Sequence, residues 1–355
     1  TSIKDITKYW FGTTVLQSNK STILTNIKHI IFNGLKPKTL EFDILDKISQ
    51  NVYLQGYWNN YDPYTNPSMT VAFITAAFRF GHTLLPSTVE RRSVSHKYIK
   101  SRRLSKLIRQ PWDLYEPGVL DEYYMGLMHQ PAQAFDDSIT QEVTNHLFEE
   151  PGEHFGVDLI SFNLQRGREA GLPSYTAYRN LCGLPKINSF YDLAQHMTNS
   201  TAHKYAQLYS SVDDIDLFSG GVSERPQPGS LLGPTFTCII ALQFQRLRKG
   251  DRYWYELPDQ PSSFTPRQLS ALRKVRLSRL LCENTDRITT LQTYLMVLPD
   301  HNLNPRVSCQ GGVLPHLDLS AWREQPEYPP SYVRGEHRAP KSHFLPFYSL
   351  LNSLF

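Results

Sequence analysis

The stretch Ala76-Ala77-Phe78-Arg79-Phe80-Gly81-His82-Thr83 decides how this chain is read. Val71, Ile74, Phe78 and His82 recur at three- and four-residue spacing, one face of a helix, so the pattern predicts a buried stripe that ends in an imidazole. Asn66 followed by Pro67 has the chemistry of an N-cap and first helical residue, and Pro86 argues against helix beyond Leu85. A lone interior histidine is compatible with a hydrogen-bonded core residue. Arg79 changes that reading, because it stands three residues before His82 and shares its side of the helix. A permanent cation beside a buried ring needs an anion.

A second stretch, Asn163-Leu164-Gln165-Arg166, again sets two polar groups three residues apart. The strings FRFGHTLLP (Phe78 to Pro86), FNLQRGREAGLPSY (Phe162 to Tyr175), YRNLCGLP (Tyr178 to Pro185), DIDLFSGGVSE (Asp214 to Glu224) and GDRYWYE (Gly250 to Glu256) follow in that order. Together they resemble the animal haem peroxidases, the family of myeloperoxidase and peroxidasin. The resemblance implies a mainly α, multi-helix fold with little β structure and haem b as cofactor. It also implies hydrogen peroxide as oxidant and a small phenolic, tyrosyl or halide donor. By the same resemblance His82 is the axial ligand of the haem iron, Asn163 accepts the other ring N–H, and Arg79 and Arg166 bind the propionates. The chemistry is coherent: iron satisfies the imidazole, carboxylates satisfy the guanidinium groups, and an oxygen on the second ring nitrogen fixes the tautomer and strengthens the donor.

The family's distal motifs do not occur in these 355 residues: a histidine followed by aspartate, a calcium loop, and an arginine before Arg-Glu-His-Asn. Calcium, and the acidic residues that attach haem covalently in some relatives, are therefore expected only in sequence outside this chain. Heterolytic O–O cleavage without a distal base and cation forgoes a factor of about 10² to 10⁴. The expectation is the proximal portion of a peroxidase, part of a longer protein, and its rival is a catalytically inactive homologue that serves as a binding or adhesion scaffold. Residues 1–18 are read as lying outside the family, 19–323 as the partial peroxidase domain, and 324–355 as a disordered Pro- and His-rich tail. Ser21 to Leu40 reads as a family helix in which His29 is structural.

Net charge is +4, with a basic run from Arg91 to Arg109 that contains no acidic residue. Val94, Tyr98, Leu104 and Ile108 interleave with it, so it reads as a solvated face and not as a nucleic-acid surface. No apolar run approaches the length of a membrane span. The four cysteines form no CxxC, and three disulfide pairings are open. The family resemblance selects Cys182 with Cys238 and Cys282 with Cys309, which places the chain in an oxidising, secretory compartment. Asn19 and Asn199 stand in glycosylation sequons. Gly220-Gly221 reads as a turn, Asp213, Asp214 and Asp216 as acidic helix starts, and Thr265-Pro266 as a capped helix N-terminus.

Overall fold

The computed structural model describes residues 56–323 apart from 228 and 229. The readings on residues 1–18, on Ser21 to Leu40 with His29, on the Asn19 sequon and on the tail from residue 324 lie outside the described residues. The described chain is mainly helical, as expected. It runs α1 (Val71–Thr75), a 3-10 helix (Ala77–Leu84), β1 (Thr88–Arg92), β2 (Tyr98–Arg103), α2 (Val119–Leu127), α3 (Gln141–Thr144), α4 (Leu159–Glu169), α5 (Tyr175–Leu181) and α6 (Phe190–Leu193). It continues through α7 (Asn199–Leu208), α8 (Leu217–Ser223), α9 (Pro234–Gly250), α10 (Pro266–Lys274), α11 (Leu277–Asn284), β3 (Thr290–Gln292) and β4 (Arg306–Ser308). The chain divides into two units, Thr1–Asp318 and Leu319–Phe355; the second contains a 3-10 turn, Leu319–Trp322.

Helix α9 is the spine. Gly233 and Pro234 start it, Thr235 to Ala241 are all buried, and Arg248 and Lys249 close its last turn, where the free carbonyls favour cations. Its apolar half packs with Ala72, Phe73, Ala77, Phe80 and Leu84 on one side and with Leu217, Phe218 and Val222 of α8 on the other. Phe236, fully buried there, contributes about 1.5–3 kcal/mol. The expected turn at Gly220-Gly221 is instead the interior of α8. A Cβ on Gly220 would strike the Tyr175 ring and one on Gly221 the Phe236 ring, so the glycines permit close helix packing.

The Cys182–Cys238 disulfide ties the end of α5 to α9, and Cys282–Cys309 ties α11 to the residue after β4. Both pairings are those the resemblance implied. Closing loops of 56 and 27 residues stabilises the fold by roughly 4 and 3.5 kcal/mol on the chain-entropy model. Helix α10 begins as expected, with a capping box between Thr265 and Gln268.

The basic run forms an antiparallel hairpin, Thr88 opposite Arg103 and Glu90 opposite Ser101. Its cations are largely paired: Arg91 with Glu122, Arg92 with Glu90, Arg102 with Asp113, Arg103 with Glu142 and Lys106 with Glu149. Glu90 lies on the same strand, and the other acids come from segments further along the chain.

The helix expected to begin at Asn66-Pro67 begins instead at Val71, with Thr70 as N-cap. Gln243 of α9, buried among apolar neighbours, accepts from Thr70 N at 2.7 Å and donates to Ser68 O at 3.1 Å, holding the preceding segment out of the helix. Asn66 caps a local turn, accepting from Ser68 N at 2.9 Å. The stripe also differs from expectation. Val71 and Ile74 are 49% and 48% exposed, while Ala72, Phe73, Ala76 and Phe80 are buried. Periodicity shows which residues share a face; α9 decides which face is covered.

Candidate functional site

The break between α1 and the 3-10 helix builds the site. Ala76 leaves helical geometry at φ −134°, ψ −70°, so the carbonyls at the end of α1 lack intrahelical partners. Ile74 O accepts instead from Arg79 Nε at 3.0 Å. So anchored, the guanidinium extends Nη1 to Asn163 Oδ1 at 3.2 Å. The other end of that amide, Nδ2, lies 2.9 Å from His82 Nδ1. Residues 84 and 81 positions apart in the chain thus join in one line: Ile74 carbonyl, Arg79, Asn163, His82.

Asn163 is fully buried and is the sole buried residue of α4. The helix is placed by its ends. Asp158 caps it by accepting from Ile160 N at 2.8 Å, and Arg168 forks onto Asp216 at 2.9 and 2.7 Å. Tyr209 donates to the same carboxylate at 2.8 Å. Burial by itself holds a polar amide poorly, so Asn163 depends on its two partners. The resemblance implied that Asn163 accepts a ring N–H from His82. Asn163 Nδ2 lies within hydrogen-bond distance of His82 Nδ1, where the ring tautomer sets donor and acceptor, and Oδ1 is the amide atom that meets Arg79.

His82 is partly buried, and burial first, then the charge of Arg79, holds its pKa down to about 4. The ring is neutral at pH 7, as a metal ligand must be. Arg79 is destabilised as a cation by burial and by the nearby Arg166 guanidinium. Neither arginine forms an ion pair among the described residues, whereas Arg168 and Arg179 both do. Two guanidinium groups brought together without a carboxylate form a site for an anionic group.

Val71 and Ile74 of α1 and Phe162 of α4 are exposed apolar side chains, the last 51% exposed. A separate cavity of about 400 Å³ lies against α4, lined by Asn163, Leu172, Tyr209, Asp213 and Asp216 among others, and His82, Arg79 and Arg166 do not line it.

Other sequence readings resolve plainly. Asp213 and Asp214 open a 3-10 turn, with Asp214 in a capping box with Ser211, and Asp216 is the N-cap of α8. They are helix starts, as expected, and no cluster of three or more metal-ligating side chains occurs among the described residues. Asn199 is exposed in the first turn of α7. His146 pairs with Glu149. Sequence reasoning missed Gln243 and Asp216 as residues that hold the two halves of the site. Gln243 carried a signal, a polar side chain within the apolar run of α9; Asp216 carried none beyond its place before a helix.

A neutral histidine steered by a buried amide, beside two guanidinium groups that have no ion pair among the described residues, defines a class of site. Such a set suits a flat apolar macrocycle that carries a metal and carboxylates, and the residues present fit haem. The family model described as animal haem peroxidase matches residues 1–296, and the chain belongs to that family. The match takes in residues 1–18, which were read from sequence as outside it.

Among curated relatives, chorion peroxidase of Drosophila melanogaster is 35% identical over 87% of this chain and 38% of its own length. The human peroxidasin homolog is 33% identical over 97% of this chain and 22% of its own length. Thyroid peroxidase of Sus scrofa is 33% identical over 92% and 34%. The chain thus spans between about a fifth and two fifths of these relatives. Among solved structures, peroxidase A from Dictyostelium discoideum aligns with a TM-score of 0.55 at 29% identity, over 72% of this chain and 49% of that one. No described helix is long and apolar enough to cross a membrane.

Proposed function

We propose that this chain contributes the proximal side of a haem peroxidase, with His82 as axial ligand, Asn163 as the group that orients it, and Arg79 and Arg166 as partners of the propionates. The observation that carries this reading is the 2.9 Å contact between His82 Nδ1 and an amide with no exposure to solvent, beside two cations that have no anion among the described residues. Haem, when bound, supplies the redox chemistry by which hydrogen peroxide is reduced and a phenolic, tyrosyl or halide donor is oxidised. The chain's own residues do the rest of the proximal work. His82 offers Nε2 as donor, and Asn163 sets ring orientation and basicity through Nδ1. Arg79 and Arg166 neutralise two carboxylates.

The two disulfides support a secreted protein, because such bridges persist in oxidising compartments. Asn199, exposed in the first turn of α7, is the glycosylation acceptor within the described residues.

The test is turnover. The chain is loaded with haemin and supplied with peroxide and a phenol, wild type beside His82→Ala. Oxidation that depends on His82 supports the reading. A haem complex that forms through His82 yet gives no turnover favours the catalytically inactive scaffold, and equal behaviour of both proteins refutes the proximal assignment.

A further inference from the structure

The amide of Asn163 faces two groups with conflicting demands. A guanidinium has donors and no acceptor, so the atom that meets Arg79 Nη1 at 3.2 Å must be the oxygen. That choice turns the NH2 group toward His82 Nδ1 at 2.9 Å. An NH2 group donates, so Nδ1 must accept, and a neutral ring that accepts at Nδ1 carries its proton on Nε2. This is the wrong tautomer for ligation through Nε2. Turning the amide over would satisfy Nδ1–H but would set an N–H donor against the guanidinium. Arg79 cannot easily retreat, because Ile74 O holds its Nε at 3.0 Å.

We propose that Arg79 is a positioning residue that sets the tautomer of His82, favouring the Nε2–H form while it holds the Asn163 oxygen and releasing the ring to the Nδ1–H form when a carboxylate takes the guanidinium. This rests on the proximal-ligand reading above and deepens it. The carboxylate gives Nη1 an acceptor in place of Asn163 Oδ1. The amide then turns, its oxygen accepts from Nδ1–H, and the Nε2 lone pair becomes available. Water takes the proton from Nε2 and supplies the one on Nδ1, so no net charge is moved. Arg166 helps recruit the carboxylate, since the second cation lies close enough to destabilise the charge on Arg79. The ligand selected is a macrocycle with free carboxylates, in preference to the same ring esterified.

The test needs no turnover. In the full chain with 15N-labelled histidine and no metal, long-range proton–nitrogen correlations of His82 should show Nε2 protonated. Adding metal-free protoporphyrin IX should move the proton to Nδ1, and adding its dimethyl ester should not. Arg79→Met should show Nδ1 protonated without any ligand. The same substitution should weaken binding of haemin yet strengthen binding of haemin dimethyl ester several-fold, a sign change that a simple carboxylate anchor does not produce. Nδ1–H in the untreated wild type, or the same tautomer before and after the porphyrin diacid, overturns the proposal. Those failures are distinct from failure of the proximal assignment, which appears as haemin binding that His82→Ala leaves unchanged.

Discussion

Two arginine clusters in this molecule invite comparison. Arg179 is 1% exposed and is answered on every side: the Glu224 carboxylate, Tyr175 OH at 3.4 Å, and Pro185 O at 3.1 Å. Glu224 in turn accepts from Tyr175 OH at 2.7 Å and from Thr235 N and Oγ1 at 2.7 and 2.8 Å. Arg79, by contrast, has one carbonyl, one amide oxygen, and a second cation nearby. A closed network serves the fold, because every buried charge finds its partner there. An open one serves a ligand, since the missing anion has to come from elsewhere.

The contrast can be broken first at the closed cluster. Glu224→Ala strands the Arg179 cation in the core, and unfolding in urea should show a loss of about 3–5 kcal/mol. A loss under about 1 kcal/mol would mean that the network is not structural. The open cluster should respond less. Arg79→Ala with Arg166→Ala should cost about 1–2 kcal/mol in urea, clearly less than Glu224→Ala, because removal of a like-charge contact partly offsets the loss of the partner of the Asn163 oxygen and the Ile74 carbonyl. Haemin affinity should fall roughly 10- to 100-fold for each arginine, as each charge-assisted bond is worth about 1.5–3 kcal/mol. A double variant that unfolds like Glu224→Ala would erase the distinction.

A smaller effect sharpens it further. The folded-state pKa of His82 is held near 4, below the unbound value of 6.5. The unfolded chain therefore gains a proton on this ring that the folded chain refuses, and stability is full above pH 6.5 and declines as pH falls toward 4. Between pH 7 and pH 5 the loss from this residue is roughly 1–2 kcal/mol. His82→Gln should remove that part of the slope in an acid titration of stability, whereas His96, also held near 4, keeps its own contribution in both proteins. An identical slope in variant and wild type would place His82 in contact with solvent.

Much of this was legible in the chain itself, and the limits have physical causes. The motifs around His82 and Asn163 carried the family, and with it both disulfide pairings and the helical class. Helix starts with local chemistry, such as Thr265-Pro266 and the acidic residues at 213 to 216, were readable because capping involves neighbours. Asn66-Pro67 misled for the opposite reason: Gln243, far along the chain, holds the backbone there. The exposed stripe of Val71 and Ile74 misled because spacing does not state which side the core takes. The basic hairpin looked unpaired because, Glu90 apart, its acids come from elsewhere in sequence. The orientation of the Asn163 amide depends on Arg79, and that competition is visible only in three dimensions.

The most direct measurement is the resonance Raman spectrum of the ferrous haem complex of the full chain, read for the iron–imidazole stretch. The account predicts that the band is present in wild type, disappears in His82→Ala, and shifts in Asn163→Leu as the second ring nitrogen loses its partner. A band that survives His82→Ala, or one that never forms in a wild-type complex, would contradict it.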